Sequence, residues 1–173
     1  MSSEEKYNLS TIQDWKAAIK EKALIVAVIG VGRIGLPTSL AISKKGFQIY
    51  GIDIDAELVK KINEGGGTPP IPFVLDEPGL KEALDEVIKE GRLRATTEFE
   101  KFVPKANIII TCVPTPITDQ KVPDYSIIND VAKNLGNLKK FLGNKIIIFE
   151  STVGPKYVEE EAIPVIEERS GLA

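Results

Sequence analysis

Three glycines near the start of the chain have the spacing that points most directly to chemistry. Gly30, Gly32 and Gly35 follow an apolar run as G-x-G-x-x-G, which is weak evidence alone. Between a buried strand and a helix, such glycines allow a tight turn, close approach of the backbone to a pyrophosphate, and close helix–strand packing. The N–H groups and the dipole at the helix start favour a bound phosphate. We therefore predict a dinucleotide site in the loop residues Gly30, Val31, Gly32, Arg33, Ile34 and Gly35.

An acidic residue lies where the ribose of such a dinucleotide is expected. Asp53 ends a second apolar run, 18 residues after Gly35, and an acid at this place can accept both hydroxyls of the adenosine ribose. It would also repel a 2′-phosphate, which favours NAD over NADP as the cofactor. We assign the next two residues, Ile54 and Asp55, to the same site. The alternative is that the glycines form a plain turn and Asp53 is a solvated strand end.

Short apolar runs alternate with helical patterns along the rest of the chain. Strands are predicted at 23–30, 47–55, 93–99, 106–114 and 144–152. Helices are predicted at 9–23, 34–46, 56–66, 78–93, 125–143 and 154–171, and a proline-rich loop at 67–73. Ser10 or Thr11 can cap the first helix, Gly136 is a weak point inside the fifth, and Pro164 interrupts the last.

This alternation predicts an α/β fold, a Rossmann-type doubly wound parallel sheet with right-handed crossovers. Ligands of such sheets lie beyond the carboxyl ends of the strands. Two further loops therefore join the predicted site, at 112–116 and 150–154. We divide the chain into an N-terminal helical extension, 1–22, and a dinucleotide-binding domain, 23–173.

Composition narrows the class of protein. The net charge of −3 over 173 residues, with no basic stripe, argues against a nucleic-acid partner. No apolar run is long enough to span a membrane, and the acidic start is not a secretory signal. A single Cys forms no internal disulfide, which fits a cytoplasmic protein. The absence of His removes the commonest metal ligand, and we expect no metal site.

Cys112 is the single thiol of the chain and therefore a candidate nucleophile. It ends an apolar strand, where thiols are often buried and inert. With no His to activate it, we expect Cys112 to have no nucleophilic role.

Four linked motifs carry a resemblance to a known family. "VIGVGRIGLPTSLA" with "GIDID", "LDEPGLKEAL" with "GRLRATTEF", "CVPTPITDQKVPDYSII" and "IIIFESTVGPKYVEE" occur in that order. Together they resemble the UDP-glucose/GDP-mannose dehydrogenases, the nucleotide-sugar 6-dehydrogenases, from about Ile25 to Val158. Five positions depart from the family pattern. Arg33 stands where an aromatic is usual, Leu58 where a basic residue is common, and Gly154, Lys156 and Tyr157 where Pro, Gly and Thr are expected.

The resemblance implies a four-electron oxidation of a sugar C6 alcohol to a carboxylate with two NAD+. It implies that Thr152 is catalytic and holds a water beside the nicotinamide and C6; a helix N-cap is its alternative role. Glu150 and Ser151 would lie beside the nicotinamide ribose. The path from adenosine to nicotinamide would be lined by Cys112, Val113, Pro114 and Thr115. "FESTV" resembles the UDP-N-acetylmannosamine branch more than the UDP-glucose branch.

The family pattern also implies a further segment of protein after Ala173. We expect its nucleophilic Cys, a sixth strand and a domain that holds the nucleotide sugar after Ala173. The intact protein would be a homo-oligomer, and this chain alone would bind NAD without turnover. The rival interpretations are a stand-alone NAD-binding module, and a dehydrogenase of the 3-hydroxy-acid or 6-phosphogluconate type.

Overall fold

The computed structural model describes residues 9–65 and 78–172. Within them, five strands form one sheet: β1 (Ile25–Ile29), β2 (Gln48–Ile52), β3 (Leu93–Thr96), β4 (Ile108–Thr111) and β5 (Ile146–Phe149). Their spatial order is β3-β2-β1-β4-β5, and all neighbours are parallel. The chain winds outward from β1 in both directions. The predicted Rossmann-type sheet is confirmed, with five strands among the described residues.

Helices connect the strands and cover the two faces of the sheet. They are α1 (Ile12–Lys20), α2 (Gly35–Ser43), α3 (Ala56–Asn63), α4 (Leu80–Lys89), α5 (Phe99–Phe102), α6 (Ser126–Asn137) and α7 (Ile163–Ser170). Single 3₁₀ turns follow α5 and α6, and a π-helical turn at Val158–Ala162 precedes α7. The predicted proline-rich loop at 67–73 lies outside the described residues.

Strand β1 shows how the sequence builds a core on each face. Val26 and Val28 pack in one cluster with residues of α2, α3 and α4. Ala27 and Ile29 pack in the other with residues of α5, α6 and α7. Because successive side chains of a strand point to opposite faces, an unbroken apolar run is what a strand covered on both sides requires.

Helix α1, in the predicted N-terminal extension, packs at the end of the sheet where the strands begin. Thr11 caps it, accepting from the Asp14 N–H at 3.2 Å, while the Asp14 carboxylate accepts from the Thr11 N–H at 3.0 Å. Ala18 is buried beside Leu24, with Trp15 packed against them. The predicted cap is confirmed, and α1 rests against the end of the sheet opposite the strand C-termini.

Two predicted helices differ from the structure near their ends. The helix predicted at 125–143 ends at Asn137, because Lys139 takes a left-handed φ of 51° that an α-helix cannot continue. The helix predicted at 154–171 begins as the π turn, and Pro164 lies in the first turn of α7. The helical backbone is continuous from 157 to 170, and its π turn ends at Ala162, two residues before Pro164, so the proline marks the change from π to α geometry.

No helix among the described residues is both long and apolar enough to cross a bilayer.

Candidate functional site

A cleft of about 790 Å³ opens where the carboxyl ends of the strands meet. Thirteen of the sixteen residues predicted to bind the cofactor line it: Gly30, Gly32, Arg33, Ile34, Asp53, Ile54, Cys112, Val113, Pro114, Thr115, Glu150, Ser151 and Thr152. Four separate chain segments thus converge on one cavity, as expected for a parallel sheet whose strand order reverses at β1.

The glycine loop turns tightly beneath α2. Gly30 has a φ of +86°, and a Cβ added there would lie 2.9 Å from the Cys112 carbonyl oxygen. A Cβ added at Gly35 would overlap the Gly30 carbonyl oxygen and lie 3.2 Å from the Cβ of Cys112. Both glycines are therefore needed so that the loop, α2 and the end of β4 can pack together.

Gly32 differs from its two neighbours because it faces open space. A Cβ there would meet nothing within 4 Å, so the fold itself does not require glycine at this position. Exposed backbone at the start of a helix is the surface that a pyrophosphate contacts. Arg33 is exposed beside it on the cleft wall, where its charge complements an anionic group. The residues present therefore fit a dinucleotide.

Asp53 joins the end of β2 to the glycine loop. Its Oδ2 accepts from the Val31 N–H at 2.9 Å, and its Oδ1 accepts from the Asp55 N–H at 3.1 Å. The two hydrogen bonds fix the carboxylate at the cleft wall while spare lone pairs remain on both oxygens. Ile54 is 99% exposed, which is unusual for an isoleucine and leaves an apolar surface beside Asp53.

Three predicted residues do not line the cleft but lie next to the segments that do. Val31 is fully buried, and its N–H holds Asp53. Gly35 is buried at the start of α2. Asp55 caps α3, accepting from the N–H groups of Glu57 and Leu58 at 2.9 and 3.1 Å. Direct contact of these three with a cofactor stays a prediction.

The loops after β4 and β5 are bonded to each other. The Thr115 hydroxyl donates to the Thr152 carbonyl oxygen at 2.7 Å, and the Ser151 hydroxyl donates to the Val113 carbonyl oxygen at 2.8 Å. Thr152 is not a helix N-cap, because the next helical turn begins at Val158. Its exposed side chain lies on the cleft wall.

Cys112 and Glu150 meet at the bottom of this wall. The thiol Sγ lies 3.5 Å from the Glu150 Oε2. Burial, together with the Glu150 carboxylate, raises the pKa of Cys112 to about 12. The thiol therefore stays protonated near neutral pH, and thiolate is the nucleophilic form. That Cys112 has no nucleophilic role stays a prediction.

Sequence reasoning missed two parts of the cleft wall. One is the segment directly after β3, which contributes Thr97 and Phe99 at the start of α5; its place after a strand of a parallel sheet would have identified it. The other is one side of α6, which contributes Ile127, Asp130, Val131 and Asn134. Their spacing of three and four residues is the only signal, and it also describes a helix face that packs on a core.

Among the described residues, no group of three or more Cys, Asp or Glu side chains is placed to hold a metal ion.

The fold and the glycine-loop cleft define a dinucleotide-binding domain of the Rossmann type. The model of the UDP-glucose/GDP-mannose dehydrogenase family, NAD binding domain, matches residues 24–173. The chain therefore belongs to this family, and NAD is its cofactor.

Individual relatives agree with this assignment. A UDP-N-acetyl-D-mannosamine dehydrogenase from Methanococcus aeolicus is 36% identical over 136 residues, 78% of this chain and 29% of that protein. The structure of a GDP-mannose dehydrogenase from Pseudomonas aeruginosa matches with a TM-score of 0.76 at 29% identity, covering 84% of this chain and 32% of that one. A UDP-D-ManNAc dehydrogenase from Pyrococcus horikoshii gives 0.74 at 31%, covering 86% and 33%. The chain thus spans about a third of the length of these relatives.

Proposed function

We propose that this chain is the NAD-binding part of a nucleotide-sugar 6-dehydrogenase. The reaction is oxidation of the C6 alcohol of a UDP-sugar to a uronate with two NAD+. The observation that carries the proposal is the Asp53 carboxylate held on the glycine loop at the wall of a large cleft. The family assignment supports the same reaction class.

The cleft residues divide along the cofactor. Asp53 would bind the adenosine ribose, and the backbone around Gly32, with Arg33, would bind the pyrophosphate. The nicotinamide riboside would then continue past β1 towards the loops after β4 and β5, because the strand order runs β2-β1-β4-β5. Bound NAD supplies a hydride acceptor, and the residues of this chain orient it and exclude water.

Thr152 is the residue of the chain that we propose to act at the reacting centre. Its carbonyl is fixed by Thr115, which leaves the hydroxyl exposed on the cleft wall to hold a water. Cys112 is unsuited to carry the intermediate, since its pKa is raised to about 12. The nucleophilic Cys of the reaction would belong to a further segment of the protein, so this chain alone would bind NAD without oxidising a sugar.

UDP-N-acetylmannosamine is the proposed substrate, with UDP-glucose as the second choice. Two observations support it: the F-E-S-T-V segment resembles that branch, and the relative that is 36% identical bears that name. The uronate would serve polysaccharide biosynthesis in the cytoplasm, and the intact enzyme would be a homo-oligomer. Steady-state assays of the intact protein with UDP-N-acetylmannosamine, UDP-glucose and GDP-mannose would decide the substrate.

The cofactor site is tested by titration calorimetry of the chain with NADH. Asp53→Ala should weaken binding at least tenfold, because it removes the charged acceptor for the ribose hydroxyls. Thr11→Ala is the matched control, since it removes a helix cap, destabilises the domain by about 0.5–2 kcal/mol, and lies outside the cleft wall. A folded wild-type chain that binds no NADH would refute the proposal.

A further inference from the structure

The loop that carries Thr152 is anchored at its far end by two tyrosines. Gly154 donates its N–H to the Tyr125 hydroxyl at 2.7 Å. Three residues later, the Tyr157 hydroxyl donates to Asn129 Oδ1 at 2.6 Å. The two rings lie 4.7 Å apart between their centroids. Tyr125 and Asn129 stand at the start of α6 and one turn further on, so both bonds tie this loop to the same end of that helix.

The burial of Tyr157 makes this attachment rigid. Its side chain belongs to the core on the α6 side of the sheet, where Val153 also packs. Burial raises the pKa of Tyr157 to about 12, so the hydroxyl keeps the proton that it donates to Asn129 throughout the neutral range.

Gly154 is suited to this contact in two ways. It has the N–H that the Tyr125 hydroxyl accepts, which a proline at this position would lack. It also has no Cβ, and an added one would lie only 3.2 Å from that hydroxyl. The departure from the family pattern at position 154 therefore comes with a hydrogen bond that the pattern itself does not allow.

The loop at 150–157 is thus bonded on both sides of Thr152. Upstream, Ser151 and the Thr152 carbonyl are tied to the loop after β4. Downstream, Gly154 and Tyr157 are tied to α6. We infer that Tyr125 and Tyr157 are positioning residues that hold the Thr152 loop against the nicotinamide end of the cleft. This inference rests on the proposed function, since it assumes that NAD occupies the cleft.

The test compares two probes of the same cleft by titration calorimetry. NADH spans the whole cleft, whereas ADP keeps the adenosine and the pyrophosphate and lacks the nicotinamide riboside. Tyr125→Phe removes the hydroxyl and keeps the ring. It should weaken NADH binding about three- to tenfold, the effect of losing one hydrogen bond, and leave ADP binding within about twofold. Tyr50→Phe is the control, because its ring packs on Phe102 in the core away from the cleft wall.

A second pair of variants changes Gly154, the donor of the hydrogen bond to the Tyr125 hydroxyl. Gly154→Pro removes the N–H, and Gly154→Ala keeps it, so NADH binding by the proline variant should be the weaker of the two while ADP binding is equal. This pair decides the matter should Tyr125→Phe fail to fold. Equal losses for NADH and ADP would mean that Tyr125 acts through the fold alone, and unchanged NADH binding would mean that the loop needs no anchor; either result overturns the inference. Failure of the wild-type chain to bind NADH would instead refute the proposed function.

Discussion

A single methyl group, placed at Gly35 or at Gly32, should separate the stability of the domain from its affinity for NAD. At Gly35 the added Cβ overlaps the Gly30 carbonyl oxygen, 2.9 Å from its carbonyl carbon, and presses on the Cβ of Cys112 at 3.2 Å. The atoms that it meets are backbone or next to it, so α2 must move. Overpacking of this kind costs about 1–3 kcal/mol. For a domain of this size that lowers the Tm by roughly 2–12 °C.

At Gly32 the same methyl group meets nothing within 4 Å, so the Tm should stay within about 2 °C of wild type. The methyl would occupy the space through which the pyrophosphate approaches the backbone. Losing one charge-assisted hydrogen bond to that group corresponds to roughly a 10- to 100-fold weaker affinity for NADH. Gly35→Ala should therefore unfold more easily, whereas Gly32→Ala should fold normally and bind NADH less tightly.

Thermal unfolding by circular dichroism and NADH titration by calorimetry measure the two quantities on the same samples. A wild-type Tm for Gly35→Ala would show that α2 does not rest on the Gly30 carbonyl as the structure has it. A folded Gly32→Ala variant with wild-type NADH affinity would place the pyrophosphate elsewhere, and the phosphate role of the glycine loop would be wrong.

Three other changes address separate parts of the molecule. Glu150→Gln should lower the pKa of Cys112 from about 12, yet keep it above the ordinary 9.0 because burial is the larger cause. The variant should therefore react faster with iodoacetamide at alkaline pH than the wild-type chain does. An unchanged alkylation rate would contradict the contact between Glu150 and Cys112. The urea midpoint should fall as pH rises from about 9 towards 12, because the folded state keeps the protons of Cys112 and Tyr157 that the unfolded state releases; Tyr157→Phe should make this fall shallower. Thr11→Ala should cost about 1 kcal/mol in chemical unfolding and leave NADH affinity unchanged, since α1 lies away from the cleft.

Much of the fold follows from the sequence because the strands of a parallel sheet are apolar without interruption. The runs around Val28 and Ile109 could be placed in the core from composition alone, and both are fully buried. The weak run at 93–99 also holds a strand, β3, whose Ala95 pairs in register with Gly51 of β2.

The packing of one helix on another was harder to predict, because it depends on contacts between residues that are distant in the chain. Gly136 looked like a defect inside α6, yet a Cβ there would lie 2.7 Å from the Cβ of Arg169 and 3.2 Å from the Ile166 carbonyl oxygen. The glycine lets α6 and α7 approach closely. No local rule contains that information, since the partner helix lies about thirty residues away in the chain.

The candidate site also has one part that the sequence predicts and one part that it does not. Its floor consists of strand-end loops, which the topology of a parallel sheet brings together and which motif spacing identifies. Its side wall is a face of α6, where Ile127, Asp130 and Asn134 give the same pattern as a face that packs on a core. Only the packing angle of α6 decides which of its residues face the cleft.

The contact between Asp53 and the Val31 N–H explains why two motifs 18 residues apart act as one site. The carboxylate is fixed before any ligand arrives, so ribose binding need not pay again for ordering that side chain, which is the advantage of preorganisation. Asp53→Asn separates the two roles of the carboxylate. The amide oxygen can still accept from Val31 and hold the loop, but the amide nitrogen then faces the Asp55 N–H and donates, so the side chain cannot accept from both ribose hydroxyls. The variant should therefore lower the Tm by no more than about 6 °C, the effect of one lost hydrogen bond, and lose most of the affinity that Asp53→Ala loses. Equal NADH binding by Asp53→Asn and wild type would mean that Asp53 serves only to hold the loop.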